Sequence, residues 1–112
     1  DTPIFNKAYT LYCDFYSIRK TVSKQDRYTI YLRTENAMIG VIEGILLAGQ
    51  QSKLQKLPTL ENVSISLNLL RILIRLMKDV KAIDVQKYTK LEENIDEIGR
   101  MLGGWIKSTK EA

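Results

Sequence analysis

Apolar residues in this chain recur by fours and threes almost from end to end, and nowhere do they alternate by twos over a useful length. Ile4, Ala8, Leu11, Phe15, Ile18 and Val22 form one such seam, and Leu91, Ile95, Ile98, Leu102 and Trp105 form another. Steps of three and four place side chains on one face of a helix, whereas a half-buried strand requires a period of two. The chain is therefore expected to be all-α. Thr2 is the expected N-cap of the first helix, with Pro3 in the first helical position, where its missing N–H costs nothing. "SKQD", Ser23 to Asp26, resembles a capping box with Asp in place of Glu and is expected to start a second helix. The seam expected for that helix runs through Tyr28, Tyr31, Leu32, Ile39, Ile42 and Leu46. "GQQSKLQKLP", Gly49 to Pro58, reads as the one long loop; Thr59 is then expected to cap a third helix and Asp84 a fourth. Four helices of roughly 20–25 residues joined by short turns predict an up-down-up-down four-helix bundle, with residues 1–112 as one domain.

The third segment carries more apolar surface than such a bundle needs. At about 100° per residue, Ser64, Asn68, Arg71, Arg75, Lys78 and Asp79 fall within a sector of roughly 100°. The Leu, Ile, Val and Met residues between Leu60 and Val80 spread over roughly 240°, against the stripe of about 100° that a surface helix buries. The second apolar flank favours a subunit interface over a helix sunk deep in a monomer. Ala37, Gly40, Gly44 and Ala48 recur at three- and four-residue spacing and would let a neighbouring backbone approach closely. Gly99 and Gly103 repeat the pattern beside Trp105, where each interior glycine costs roughly 1 kcal/mol against alanine. Close packing of another helix near Trp105 would offset that cost.

Composition narrows the chemistry. There is no histidine, which removes Ser-His-Asp and Cys-His catalysis and imidazole zinc sites. The single cysteine, Cys13, reads as an ordinary half-buried thiol; it excludes an internal disulfide and fits a reducing cytoplasm. No leader is recognised at the start, which reads Asp-Thr-Pro without an initiator Met. The densest apolar stretch, Leu67 to Met77, is interrupted by Asn68, Arg71 and Arg75, so no membrane span is expected. Glu92, Glu93, Asp96 and Glu97 lack the Glu-x-x-His partners of a di-iron bundle and suit ion pairs within the helix, to Lys90 and Arg100. Glu35 is expected to pair with Arg33 or Arg27. No enzyme activity, cofactor, metal or small-molecule substrate is expected.

The net charge is +4. Arg71, Arg75 and Lys78 occupy the solvent-facing stripe of the third helix, and Arg100 and Lys107 share a face of the fourth, with Gly103 and Gly104 between them. These five are the candidate nucleic-acid- or partner-binding residues, and a merely solubilising face fits the same pattern. Five copies of the chain would carry about +20, enough to attract a polyanion in a salt-dependent way. Tyr9, Tyr12, Tyr16, Tyr28 and Tyr31 fit the core or an interface, and base stacking is the alternative.

The blocks "DTPIFNKAYTLY", "RYTIYLRTENA", "LLRILIRL" and "EIGRMLGGWIKS" resemble the four-helix-bundle family that contains the Avd proteins (accessory variability determinants) of diversity-generating retroelements. Small proteins encoded in intervening sequences of bacterial large-subunit rRNA genes belong to the same family. The resemblance covers essentially the whole chain. It implies a homopentameric barrel that binds a reverse transcriptase and its template RNA without being the polymerase. The family's basic positions fall on Arg71, Arg75 and Arg100. In the intervening-sequence branch the implied role is structural or interactive, with no reverse transcriptase partner.

Overall fold

Thr2 folds as expected: its Oγ1 accepts the Phe5 N–H at 3.3 Å and Pro3 opens the first helix. The computed structural model describes residues 2–111, and everything below refers to them. α1 spans Pro3–Ser17, a 3-10 turn spans Arg19–Thr21, and α2 is a single turn, Lys24–Arg27. Three long helices follow: α3 (Ile30–Gln50), α4 (Lys53–Asp79) and α5 (Val85–Glu111). There is no strand among the described residues. α1 packs on α3 and α5, and α4 packs on the same two, so the four long helices close into an up-down-up-down bundle. The bundle measures 46 × 22 × 21 Å. Its length is about that of a 27-residue helix with 1.5 Å rise per residue.

The seam of α5 is that expected, and that of α1 holds as far as Phe15; α1 ends at Ser17, so Ile18 and Val22 lie beyond it, on either side of the 3-10 turn. Ile4, Ala8, Leu11 and Phe15 are buried, as are Leu91, Ile95, Ile98 and Leu102, with Trp105 partly buried at the end. Two expectations fail. The stretch Gly49–Pro58 is mostly helix: α3 runs to Gln50, only Gln51 and Ser52 form the turn, and α4 begins at Lys53. Ser52, not Thr59, is its N-cap. Pro58 lies in the second turn, where its missing N–H deprives only the Leu54 carbonyl. Leu54 is 92% exposed, so that group lies at the surface, where the loss costs little. The second correction is one of register. Ser23 Oγ does accept the Asp26 N–H at 3.2 Å, but the helix it starts ends after one turn, and α3 restarts at Ile30. Tyr31, Thr34, Met38, Val41, Ile45 and Ala48 are buried. Leu32, Ile39 and Leu46 face solvent instead.

Small residues decide which of the two apolar stripes on α3 turns inward. A Cβ at Gly44 would collide with Val63 Cγ2 of α4, so the two helices approach through that glycine. Val63 is β-branched and stiff, with no flexible end to yield. A Cβ at Gly40 would meet nothing within 4 Å. Gly44→Ala is therefore expected to destabilise the fold by about 1–2 kcal/mol, overpacking outweighing the gain in helix propensity. Gly40→Ala is expected to stabilise it by roughly 0.5–1 kcal/mol. Urea unfolding of the two variants checks the opposite signs.

Between α4 and α5 the chain turns through a Schellman motif. Ala82 N–H reaches Met77 O at 2.8 Å and Lys81 N–H reaches Lys78 O at 3.0 Å. Position C′ is held by Lys81 at φ 64, where glycine is the default; a side chain there costs roughly 1–2 kcal/mol. Asp84 then caps α5, its Oδ1 accepting the Lys87 N–H at 2.8 Å. That bond and the Lys87 ammonium hold the Asp84 carboxyl below its ordinary range.

Candidate partner and nucleic-acid interface

The apolar excess of α4 stays uncovered within the subunit. Its buried side is Leu60, Val63, Leu67, Leu70, Ile74 and Met77. Ile65, Leu69, Ile72, Leu76 and Val80 lie on the outer side, from 39% to 67% exposed, and step along the helix as one ridge. By length and composition α4 is also long and apolar enough to cross a membrane, contrary to the sequence expectation. In the bundle its inner side is occupied by α3 and α5, and a third side is charged.

That charged side holds the candidate cations, and they are not equivalent. Arg71 is half-buried between α4 and α5. Its Nη1 donates to Asn68 Oδ1 at 2.8 Å, and its Nε faces Asp96 Oδ1 at 3.4 Å. The guanidinium lies where a side chain at position 99 would project, because a Cβ on Gly99 would stand 2.5 Å from Nη2. Within the subunit, the neighbour at Gly99 is therefore an arginine of the same chain. Gly103 and Gly104 have nothing within 4 Å of where a Cβ would go and are exposed. Trp105, partly buried against the core, lines an open apolar cleft with Pro3, Ile4 and Met101, and Lys56 Nζ lies 5.5 Å from the centre of its ring.

Arg75 is exposed and has no carboxylate within 4.0 Å among the described residues. Lys78 lies 3.6 Å from Asp79 and 4.5 Å from the centre of the Tyr88 ring. The Tyr88 hydroxyl donates to Glu92, and that bond raises its pKa above the ordinary tyrosine value. Arg100 lines an open cleft of about 360 Å³ with Arg71, Asp96, Gly99 and Gly103. Lys107 is exposed further along α5 and is not part of the cleft lining. The structure therefore brings Arg71 and Arg100 together, neutralises the first with Asp96, and leaves Arg75, Arg100 and Lys107 as the cations open to a partner.

Carboxylates expected to pair within α5 bridge helices instead: Asp96 reaches Arg71, and Glu97 meets Lys7 of α1 at 2.8 Å. Glu35 pairs with neither Arg33 nor Arg27 but accepts the Tyr12 hydroxyl at 2.9 Å, which raises the Tyr12 pKa. Arg27 donates from Nε to the Val22 carbonyl at 3.0 Å. Cys13 is exposed, not half-buried. No group of three or more His, Cys, Asp and Glu side chains is placed to hold a metal among the described residues.

A closed bundle of four long helices, with an uncovered apolar ridge beside a cationic face, defines a helical scaffold that presents surfaces. A family model described as bAvd-like matches residues 4–109, and the chain belongs to that family. No curated protein sequence matches it.

Proposed function

We propose that the chain is a non-enzymatic, homo-oligomeric adaptor of a diversity-generating retroelement, which holds a reverse transcriptase and its template RNA. The observation that carries this reading is the ridge Ile65, Leu69, Ile72, Leu76 and Val80, uncovered in a chain of the bAvd-like family. Copies that share the ridge, five in the barrel the family resemblance implies, would multiply a net charge of +4 per chain. Arg75, Arg100 and Lys107 would remain on the outside for phosphate contacts, which position a nucleic acid without reading its sequence. Arg71 supports them from behind as the tie between α4 and α5.

Filter binding of structured template RNA at several salt concentrations tests the reading. The double variant Arg75→Ala, Arg100→Ala is expected to lower the salt slope by about one to two. An unchanged slope, or no binding at low salt, would overturn the RNA contact through this face. Neutralisation of Arg71 by Asp96 favours a second reading, an intervening-sequence-type bundle with a structural role and no reverse transcriptase partner. Co-purification from the native host separates the two, since only the first retains a reverse transcriptase.

A further inference from the structure

The net charge is concentrated in one short part of the chain. Residues 17–33 hold five Lys and Arg against a single carboxylate, Asp26, a net +4 that equals the charge of the whole protein. The rest of the chain sums to zero. These residues form the corner between α1 and α3, so the charge lies at one end of a bundle 46 Å long. Arg19, Lys20 and Arg27 line an open cleft of about 310 Å³ with Tyr16. Arg19, Lys20, Lys24, Arg27 and Arg33 have no carboxylate within 4.0 Å among the described residues. A second cleft, of about 550 Å³, begins at Thr21, the residue after Lys20, and carries Lys78, Lys81 and Lys87 from the turn between α4 and α5. Only Lys87 among these is closely matched, by Asp84 at 2.9 Å. Lys81 adds its charge here from a left-handed backbone position that glycine would fill without strain.

Flat aromatic surface accompanies the charge. Tyr16 and Tyr28 are both 60% exposed at this corner. The Arg19 guanidinium lies over the Tyr28 ring, 5.8 Å from its centre. Cations that track a phosphate backbone, interleaved with rings on which bases stack, are the chemistry of single-strand recognition. An acidic protein surface would use the cations and leave the tyrosines idle.

We infer that the α1–α3 corner, through Arg19, Lys20, Arg27, Tyr16 and Tyr28, is a binding site for single-stranded nucleic acid, separate from the α4–α5 face. The inference deepens the nucleic-acid part of the proposed function and is independent of the reverse transcriptase part. The corner cations, Arg19 to Arg33, lie 38 residues or more before Arg71, the first candidate of the α4–α5 face, so separate variants distinguish them.

Fluorescence anisotropy with a short labelled single-stranded RNA of mixed sequence, between about 50 and 200 mM salt, is the test. Arg19→Ala with Lys20→Ala is expected to reduce the slope of log affinity against log salt by about 1.4, since each single-strand phosphate contact contributes about 0.7. Tyr28→Ala is expected to weaken binding about fivefold or more with little change in slope, because stacking is not ionic. Arg27 is left intact because it braces the Val22 carbonyl, and thermal melting by circular dichroism checks that the variants fold. If the corner variants bind like the parent while Arg75→Ala with Arg100→Ala does not, the corner inference is overturned and the α4–α5 reading stands. Loss at the corner alone supports the inference and removes the α4–α5 contact. If the slope falls but Tyr28→Ala has no effect, or polyglutamate competes as well as RNA, the corner recognises acidic surfaces and the inference fails.

Discussion

Leu69→Glu with Ile72→Glu is expected to yield a particle of 12.9 kDa by native mass spectrometry, where the parent chain runs as a multiple of that mass. Both side chains lie mid-ridge and are 39% and 43% exposed in the subunit, so the bundle does not need them for its own core. Fully burying a Leu or Ile is worth about 1.5–3 kcal/mol, and five side chains about half exposed leave roughly 4–7 kcal/mol of burial unrealised per ridge. Two carboxylates placed there would each have to be desolvated without a partner, at several kcal/mol. The charge change should remove association while leaving the subunit's own unfolding within about 0.5 kcal/mol of the parent. If parent and variant share one mass, the ridge does not join copies of this chain, and the adaptor reading loses its main support.

Phe15→Ala is expected to be the most damaging single truncation, at about 3–5 kcal/mol by urea unfolding. A domain of this size has a total stability of about 5–15 kcal/mol, so this variant stands near the limit of folding. Phe15 is wholly buried, and its ring stacks on that of Tyr31 with centroids 4.2 Å apart and planes within 7°. The Tyr31 hydroxyl donates to the Phe15 carbonyl at 2.8 Å, so side chain and main chain of one residue are both held by the other. Burial pushes the Tyr31 phenol well above its ordinary pKa, which keeps it a neutral donor. Tyr31→Phe retains the ring and removes only the hydroxyl, with an expected loss of about 1 kcal/mol. Equal losses in the two variants would show that the hydrogen bond, and not the ring stack, fixes the α1–α3 corner.

What could be read in the sequence depended on how many faces of a helix compete for the core. α1 and α5 each carry one apolar stripe, and their seams follow from spacing alone. α4 carries two, and arithmetic around the helix separates a buried side from an open one without showing what covers the open one. On α3 two stripes compete, and hydropathy favours Leu32, Ile39 and Leu46. The winning register is set by Gly44 fitting against Val63, a contact between helices that no local window contains. Pro58 misleads for a related reason: near a helix start a proline removes one hydrogen bond, and only the fold shows that the freed carbonyl belongs to an exposed residue. Candidate cations could be named from their types, but their availability could not. Arg71 and Arg75 are a turn apart, yet one is clamped by Asn68 and Asp96 and the other is open. The corner cluster stands in the sequence as five cations in 17 residues, but no helical face collects them, so periodicity does not mark them as a site.

A rod charged at one tip and balanced along its shaft has an orientation. Where a single repeated contact arranges such rods around a common axis parallel to their length, every charged tip comes to the same rim. The resulting ring has an attractive mouth and an indifferent base, so a polyanion would meet it from one side. An arrangement of alternating rods would divide that attraction between two rims.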